Sequence, residues 1–410
     1  MLSAQTFDIY QPINKDDSIV RVENRTYLPF IKSFNNNDSI EIAINRPDMW
    51  FLMYDAALFI RGQVRKTAGT GSVKLVNNYG AFLFDSVTYE LCSTEVETVK
   101  DPGLVSLIRG FLCYEKEDNS ELSEAGWNFP HDPLQNADGT FALRIPLKHL
   151  LNVFNDYPKA ICGKQLIRLI RARNDSNAMV ISAGAGEQQG ITKGEITISD
   201  IELRVKHVHP NDEIKLNLLS MIKNDKPVLI PFRKWEVHQL PVLTVGATQE
   251  IWSIKTGAVV ECPRYVICCF HSNRKDNPAK DPNYFENIDI SDIRVLLNGE
   301  YYPQEKLRLN FERNDFAEAH YNYCEFANTY TGRAGSTAVL DYNSYKSRCL
   351  FVIDCSKRDD TFKFSTVDVK LEIEARKGFP ANTRAYCVIV HDNVIEYHPL
   401  SEIIRKLTSF

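Results

Sequence analysis

The stretch DIRVLLNGEYYPQEKLRLNFERNDFAEAHYNYCEFANTY, residues 292–330, decides the fold. Ile293, Val295 and Leu297 alternate with polar neighbours, which is typical of a β-strand with one buried face. Asn298 and Gly299 follow, and this pair favours a tight hairpin turn because both residues tolerate positive φ. A leucine-rich strand and a tyrosine-rich helix complete the stretch. Its signals are structural, and it contains no catalytic motif.

The helix that ends this stretch is apolar on almost every side. Asn314 is the predicted cap. One stripe carries Phe316, His320, Tyr323 and Ala327, and the other face carries Tyr321, Phe326 and Tyr330. A helix of this kind is buried on two sides, so we expect it to pack against its own sandwich and against a second partner.

Strand signals dominate the rest of the chain, as β-branched and aromatic runs punctuated by Gly, Asn, Asp and Pro. They lie at 39–46, 57–66, 86–99, 141–147, 164–173 and 194–208 in the first half, and at 249–255, 264–273, 292–303, 348–355, 365–378 and 383–392 in the second. A phase slip at Ser199 and Asp200 predicts a β-bulge. Further helices are predicted at 101–114, capped by Asp101, and at 147–156.

The two halves repeat one plan. Pairing Ile40 with Ile251, Ile60 with Ile267, Val87 with Ile293 and Leu143 with Leu350 gives offsets of 211, 207, 206 and 207. A near-constant offset in strands of equal rank indicates a tandem duplication. Short strands without βαβ alternation predict an all-β fold, two tandem antiparallel jelly-roll β-sandwiches with a few short helices.

The predicted boundaries are an N-terminal arm, two jelly rolls, a linker and a tail. They fall at 1–25 for the arm, 26–208 for the first jelly roll, 209–227 for the linker, 228–396 for the second jelly roll and 397–410 for the tail. The linker contains a small amphipathic turn. The tail reads as a short amphipathic helix with one apolar side, formed by Leu400, Ile403, Ile404 and Leu407.

Composition is that of an ordinary globular chain. The 410 residues carry a net charge of −5, which gives no sign that the whole chain grips nucleic acid. The N-terminus has no signal-peptide pattern, and the apolar runs are far shorter than the roughly 20 residues of a membrane helix. Ten cysteines lack C-x-x-C spacing and are expected to be reduced. We therefore expect a soluble chain that is made inside the cell.

Residues 288–326 carry a family resemblance. The run NIDISDIRVLLNGEYYPQEKLRLNFERNDFAEAHYNYCEF resembles the second jelly roll of the double jelly-roll major capsid proteins of Polinton (Maverick) elements and adintovirus-like viruses. The segment TYLPFIKSFNNNDSIEIAI resembles the opening of the same family. One departure is Gly299, where a small polar residue is expected.

The resemblance implies a structural role in a virion capsid. It predicts a hexon-like homotrimer, with six sandwiches in a pseudo-hexagonal ring, that tiles an icosahedral shell beside penton and minor capsid proteins. Packaged DNA is contacted only indirectly. The expected subunit interface comprises Tyr301, Tyr302, Phe316, His320, Tyr321, Tyr323, Phe326 and Tyr330. On this view Phe316→Asp or Tyr323→Asp gives folded monomers, and the arm and tail clamp neighbouring capsomers.

Other sites carry weaker signals. His207 and His209 share a strand face, but a third metal ligand at suitable spacing is missing. The loop 184–194 lacks phosphate-loop spacing, and His131 beside Asp132 forms no triad. The run of Arg168, Arg171 and Arg173 favours intersubunit ion pairs over DNA contact. We therefore expect no enzyme, cofactor or metal site. The alternative function is a tandem β-sandwich binding module, lectin-like or receptor-binding.

Overall fold

Both halves of the chain consist mainly of strands joined by short helices. The structure, a computed structural model, describes residues 17–115, 118–254, 263–332, 338–357 and 368–407. The elements of the first half are β1 (Ile19–Tyr27), β2 (Ser39–Ile44), β3 (Trp50–Ala68), β4 (Ser72–Leu75), α1 (Tyr79–Phe82), β5 (Phe84–Leu91), β6 (Thr94–Lys100), α2 (Pro102–Cys113), α3 (Asp118–Leu122), β7 (Thr140–Pro146), α4 (Leu147–Leu150), α5 (Asn152–Asp156), β8 (Ile161–Cys162), β9 (Gln165–Arg171), β10 (Met179–Ser182) and β11 (Lys193–Pro210).

A linker helix, α6 (Asp212–Lys223), connects the halves. The elements of the second half are β12 (Val228–Leu240), β13 (Gln249–Ile254), β14 (Pro263–Ser272), β15 (Ile290–Leu297), β16 (Glu300–Tyr302), α7 (Ala317–Thr331), α8 (Tyr342–Tyr345), β17 (Phe351–Asp354), β18 (Val369–Ala375), β19 (Thr383–His398) and β20 (Ile403–Leu407).

Each half folds into a sandwich of two antiparallel sheets. The first sandwich combines β1-β11-β3-β7 with β2-β9-β5-β6, and the second combines β12-β19-β14-β17 with β13-β18-β15-β16. Ranked within each half, both sandwiches have the orders 1-8-3-6 and 2-7-4-5. β8 adds to β3, β20 adds to β19, and β4 pairs with β10 in a separate ribbon. The predicted fold, two tandem jelly rolls with a few short helices, is confirmed.

The repeat predicted from the sequence is confirmed at the level of strand order. Ile40, Ile60 and Val87 lie in β2, β3 and β5, and their predicted partners lie in β13, β14 and β15. Leu143 lies in β7, and Leu350 lies directly before the strand of equal rank, β17. The predicted bulge is also present, because the β11–β3 register shifts between Ile198 and Asp200.

Two predicted elements are divided in the structure. Residues 86–99, predicted as one strand, form the hairpin β5–β6, which turns at Cys92 and Ser93 with φ of 47° and 64°. Neither residue is a usual signal for a left-handed turn, so the sequence gave no warning. The predicted helix 147–156 is likewise split into α4 and α5 at the extended Leu151.

The ends of the sandwiches also differ from the predicted boundaries. β1 begins at Ile19, so part of the predicted arm 1–25 belongs to the first sandwich, while residues 1–16 lie outside the described part of the chain. The predicted linker contains a three-turn helix, α6, rather than a single turn. Asn211 caps α6 by accepting a 2.8 Å hydrogen bond from the amide of Ile214.

The two sandwiches meet along a seam formed by α2, α5 and β6 of the first and by α7 and β12 of the second. Buried apolar side chains form one cluster that continues across it. The apolar positions predicted for the first helix, Leu104, Leu107, Ile108 and Phe111, are all buried in α2. Asp101 does not serve as the predicted side-chain cap, because its carboxylate pairs across the seam with Lys275, 3.1 Å away.

Candidate assembly surfaces

Half of the predicted interface residues lie in the interior of the chain itself. Phe316, Tyr323, Phe326 and Tyr330 are each buried, at the start of α7 and along its inner face. A side chain that its own chain covers offers little surface to a second subunit. The helix begins at Ala317, after Phe316, and the predicted cap Asn314 instead adopts a left-handed φ of 56° before it.

The inner face of α7 fastens the second sandwich to the first. The hydroxyl of Tyr323 donates a 2.5 Å hydrogen bond to the carbonyl of Phe111 in α2. The same hydroxyl accepts one from the amide of Leu340. Trp235 on β12 donates through Nε1 to the hydroxyl of Tyr330 at 3.0 Å. Burial raises the pKa of both tyrosines, so their hydroxyls remain neutral donors and acceptors.

Polar contacts frame this aromatic centre. The backbone amide of Arg233 on β12 donates to Asp156 Oδ2 on α5 at 2.8 Å. The guanidinium of Arg233 donates to the carbonyl of Tyr330 and lies over its ring, 4.4 Å from the centroid. Asn177 and Asp276 exchange two hydrogen bonds at the other end of the seam. The partner predicted for the two-sided helix is therefore, on its inner face, the chain's own first sandwich.

A buried polar network that the sequence did not reveal supports α2. The Arg109 guanidinium donates to the carbonyls of Lys148 and His149 at 2.7 and 2.6 Å and to the side chain of Asn152. Glu97 accepts from Asn152 and from the amide of Val153. Burial raises the pKa of Glu97 and lowers the pKa of His149 to about 3. A single charged residue in an apolar segment does not indicate which residue it will pair with, so the sequence could not predict this network.

The remaining predicted interface residues reach the surface. Tyr321 is 62% exposed on the outer face of α7, and Tyr301 is 39% exposed on β16. Tyr302 and His320 are half-buried. Between α7, β14 and β17 lies a cleft of about 170 Å³, whose lining includes Tyr265, Pro303, Glu325, Phe326 and Thr329. We call this the outer α7 surface: Tyr301, Tyr302, Tyr321, Glu325 and the cleft.

The predicted C-terminal helix is wrong. Residues 403–407 form β20, which pairs antiparallel with the end of β19 through Ile403 opposite His398 and Leu407 opposite Val394. The apolar residues of this segment have helical spacing, but pairing with the free edge of β19 overrides that local preference. Leu400 and Ile403 are exposed, whereas Ile404 and Leu407 are half-buried. A clamping role for these four residues remains a prediction, and 408–410 lie outside the described residues.

β1 is the most exposed strand of the first sandwich. Val20 and Val22 are 72% and 49% exposed, and Leu28 and Phe30, just beyond the strand, are also exposed. On the other face of β1, Arg21 and Arg25 flank Glu23 and pair with it. We call this the β1 surface: the strand with Leu28 and Phe30.

The structure shows what the residues of the weaker candidate sites contact. His207 is buried and shares a 2.9 Å hydrogen bond with the Tyr27 hydroxyl. Among the described residues, no group of three or more His, Cys, Asp or Glu side chains could hold a metal ion. Arg168 pairs with Glu41 and Glu90 on neighbouring strands of its own sheet, so the predicted intersubunit ion pair is unnecessary. Arg171 is buried beside Asp175.

No described helix combines the length and apolar character needed to cross a lipid bilayer. The tryptophans do not project from loops as a ligand platform would require. Trp127 and Trp235 are fully buried, while Trp50 and Trp252 are half-buried on strands.

Comparisons with known proteins agree with this topology. The double jelly roll-like domain family matches residues 73–395. No curated protein matches the sequence. Among solved structures, the mavirus major capsid protein has a TM-score of 0.59 at 10% identity, over 100% of this chain and 94% of that one. A chain of the Sputnik virophage gives 0.60 at 10% identity, over 99% and 92%. A chain of the PBCV-1 virus capsid gives 0.60 at 9%, over 97% and 98%. The chain belongs to the double jelly roll-like family.

Proposed function

We propose that this protein is a major capsid protein that forms homotrimers, pseudo-hexameric capsomers, and tiles an icosahedral virion shell. The observation that carries the proposal is the pair of jelly rolls with one strand order, fixed side by side by a buried seam. Support comes from the fold similarity, which spans nearly the full length of capsid proteins of mavirus and PBCV-1. Exposed aromatic and apolar residues on two separate surfaces suit a chain that associates with copies of itself.

The proposal includes partners and a lineage. A shell built from pseudo-hexamers needs a different unit at its five-fold vertices, so penton proteins are expected partners, with minor capsid proteins at the capsomer edges. The run LNGEYYP at 297–303 supports a place among Polinton and adintovirus-like elements. A profile built from residues 288–326 tests that lineage, because capsid genes of other double jelly-roll viruses should score lower against it.

The first experiment is multi-angle light scattering on the purified chain, with the same sample imaged on electron-microscopy grids. We expect a mass of three times 46.9 kDa, resistant to dilution, or closed shells beside it. Interfaces of obligate oligomers are large and core-like, so a trimer should survive at low concentration. A chain that stays monomeric at every concentration contradicts the proposal, and ligand screening of the loops would then test the binding-module alternative.

A further inference from the structure

The duplicated fold contains one internal interface and leaves its counterpart open. β12, the first strand of the second sandwich, is covered at the seam by α5 and β6 of the first. β1, the strand of equal rank in the first sandwich, is exposed. A repeated unit that buries one face against its neighbour presents the same face again at the next repeat. The open face therefore has a defined complement, namely the second sandwich.

Strand registers align the two faces residue by residue. Ile60 pairs with Ile201 on β11, and its repeat partner Ile267 pairs with Val388 on β19. Superposing these two pairs places Ile201 of β11 on Val388 of β19, which aligns the last strands of the two sandwiches. Because β1 and β12 both pair with the last strand of their sandwich, their residues can be matched through it.

This matching sets Tyr27 at the position of Trp235, and Arg25 at the position of Arg233. Arg233 is engaged at the seam, where its backbone amide donates to Asp156 of the other sandwich. The side chain of Arg25, in contrast, is 60% exposed and pairs only with Glu23 on its own strand among the described residues. β1 thus presents the position of a seam residue with no partner sandwich against it among the described residues.

The complementary face on the second sandwich is the outer α7 surface. In the first sandwich, the seam face consists of α5 and the fifth-ranked strand β6, which contact β12, and of α2, the helix after β6, which contacts α7. The second sandwich presents its own fifth-ranked strand, β16, and the following helix, α7. Tyr301 and Tyr321 are exposed there.

The charges of the two surfaces are opposite. Arg21 and Arg25 on β1 are exposed, and Arg46 lies close enough to act on Tyr27 together with Arg25. The outer face of α7 and the neighbouring end of β17 carry the exposed acids Glu318, Glu325 and Asp354. Apolar centres with oppositely charged rims are the pattern of a specific protein interface.

We propose that the β1 surface of one copy docks on the outer α7 surface of a second copy, repeating between chains the contact that β12 makes within the chain. This inference rests on the proposed capsid function, which supplies the ring of three copies. The contact is head-to-tail, so each copy uses both surfaces, and the ring closes without an unpaired face.

A charge exchange tests this contact. Arg25→Glu and Glu325→Arg each place like charges at the interface, and like-charge juxtaposition weakens association by more than about tenfold. We expect each single variant to be monomeric by light scattering at concentrations where the unaltered chain is trimeric. The double variant restores the opposite charges and should restore the trimer. Arg65→Glu, at an exposed arginine on β3, is the matched control and should remain trimeric.

The outcomes separate this contact from the capsid proposal. An unaltered chain that is monomeric overturns the proposed function itself. An unaltered trimer whose single variants also remain trimeric overturns the docking of β1 on α7 and leaves the capsid function standing. Single variants that dissociate, with a double variant that stays dissociated, contradict the pairing of these surfaces. Circular dichroism on each variant verifies that the exposed substitutions leave the fold intact.

Discussion

His271 is a buried side chain whose surroundings predict a dependence of stability on pH. Its ring stacks on Phe285 with centroids 4.9 Å apart and lies edge-on to Tyr386. Both ring nitrogens are buried, beside the backbone of Pro282. Burial, with the nearby charges of Arg274 and Lys275, lowers the pKa of His271 to about 3. The imidazole is therefore held neutral beside the seam.

The sign of the resulting pH dependence follows from proton binding. Between about pH 6.5 and pH 3 the unfolded chain protonates His271 and the folded chain does not, so stability decreases as the pH falls through this window. His149 acts in the same direction. Each histidine lowers the free energy of unfolding by at most about 1.4 kcal/mol for each pH unit in this window. Glu97, whose folded pKa is raised, acts in the opposite direction, so a variant is needed to isolate the histidine.

We expect His271→Phe to retain the ring stacking and to flatten the decrease in melting temperature between pH 6.5 and pH 4. Phe supplies a ring of similar shape without a titrating nitrogen. Thermal melts at half-unit steps of pH measure the slope. His131→Gln, on an exposed loop, is the control and should leave it unchanged. If His271→Phe melts with the same slope as the unaltered chain, the buried imidazole is not the acid-sensitive group.

At the level of elements, α7 has a buried inner face and an exposed outer face, and the outer face is the proposed docking surface. Tyr323 on the inner face is fully buried and hydrogen-bonded to α2, whereas Tyr321, two residues earlier, is 62% exposed. Tyr323→Asp places an unpaired carboxylate in the core, which costs at least about 3 kcal/mol in the free energy of unfolding. The folded monomer first expected from this substitution therefore gives way to a chain that fails to fold stably.

The same helix offers a matched pair of substitutions. We expect Tyr321→Asp to fold with the melting temperature of the unaltered chain and to lose the trimer, because it replaces an exposed aromatic side chain of the docking surface with a carboxylate that docking would have to desolvate. Tyr323→Asp should lower the melting temperature by many degrees, or yield insoluble protein. Light scattering with thermal melts on both variants distinguishes the two faces. Equal loss of stability in both variants would contradict the assignment of an inner and an outer face.

The elements also show which features a sequence can reveal. Alternation in β11 and the helical spacing of α2 are properties of consecutive residues, and both were predicted correctly. The turn at Cys92 and Ser93 depends on β9, a pairing partner distant in sequence, and was missed. The strand β20 was missed although its partner β19 ends just before it, because the apolar spacing of the segment is helical. The two-sided character of α7 was recognised, but its inner partner was not, since tyrosine suits an interior seam and a subunit interface equally.

At the level of the whole molecule, the seam determines whether two domains behave as one. Apolar clusters of the sandwiches are continuous, and the seam buries Phe111, Tyr323 and Trp235 together. Separating the sandwiches would expose these aromatic side chains and break the ion pair between Asp101 and Lys275. Exposing this apolar surface would destabilise each sandwich. Independent unfolding of the two halves, the default for tandem domains, is not expected here.

We therefore expect a single cooperative unfolding transition for the monomeric protein. The Arg25→Glu variant, which we expect to be monomeric, is the simplest sample for this measurement. Calorimetric and van 't Hoff enthalpies should agree, because the apolar cluster that continues across the seam couples the two sandwiches. Tyr323→Phe removes the hydrogen bond to Phe111, at a cost of about 1–2 kcal/mol, and should lower the melting temperature of the entire transition. Two resolved transitions, only one of which responds to Tyr323→Phe, would show that the sandwiches unfold separately. A single transition would show that the two jelly rolls behave as one rigid unit, which is what the proposed capsid function requires of a subunit.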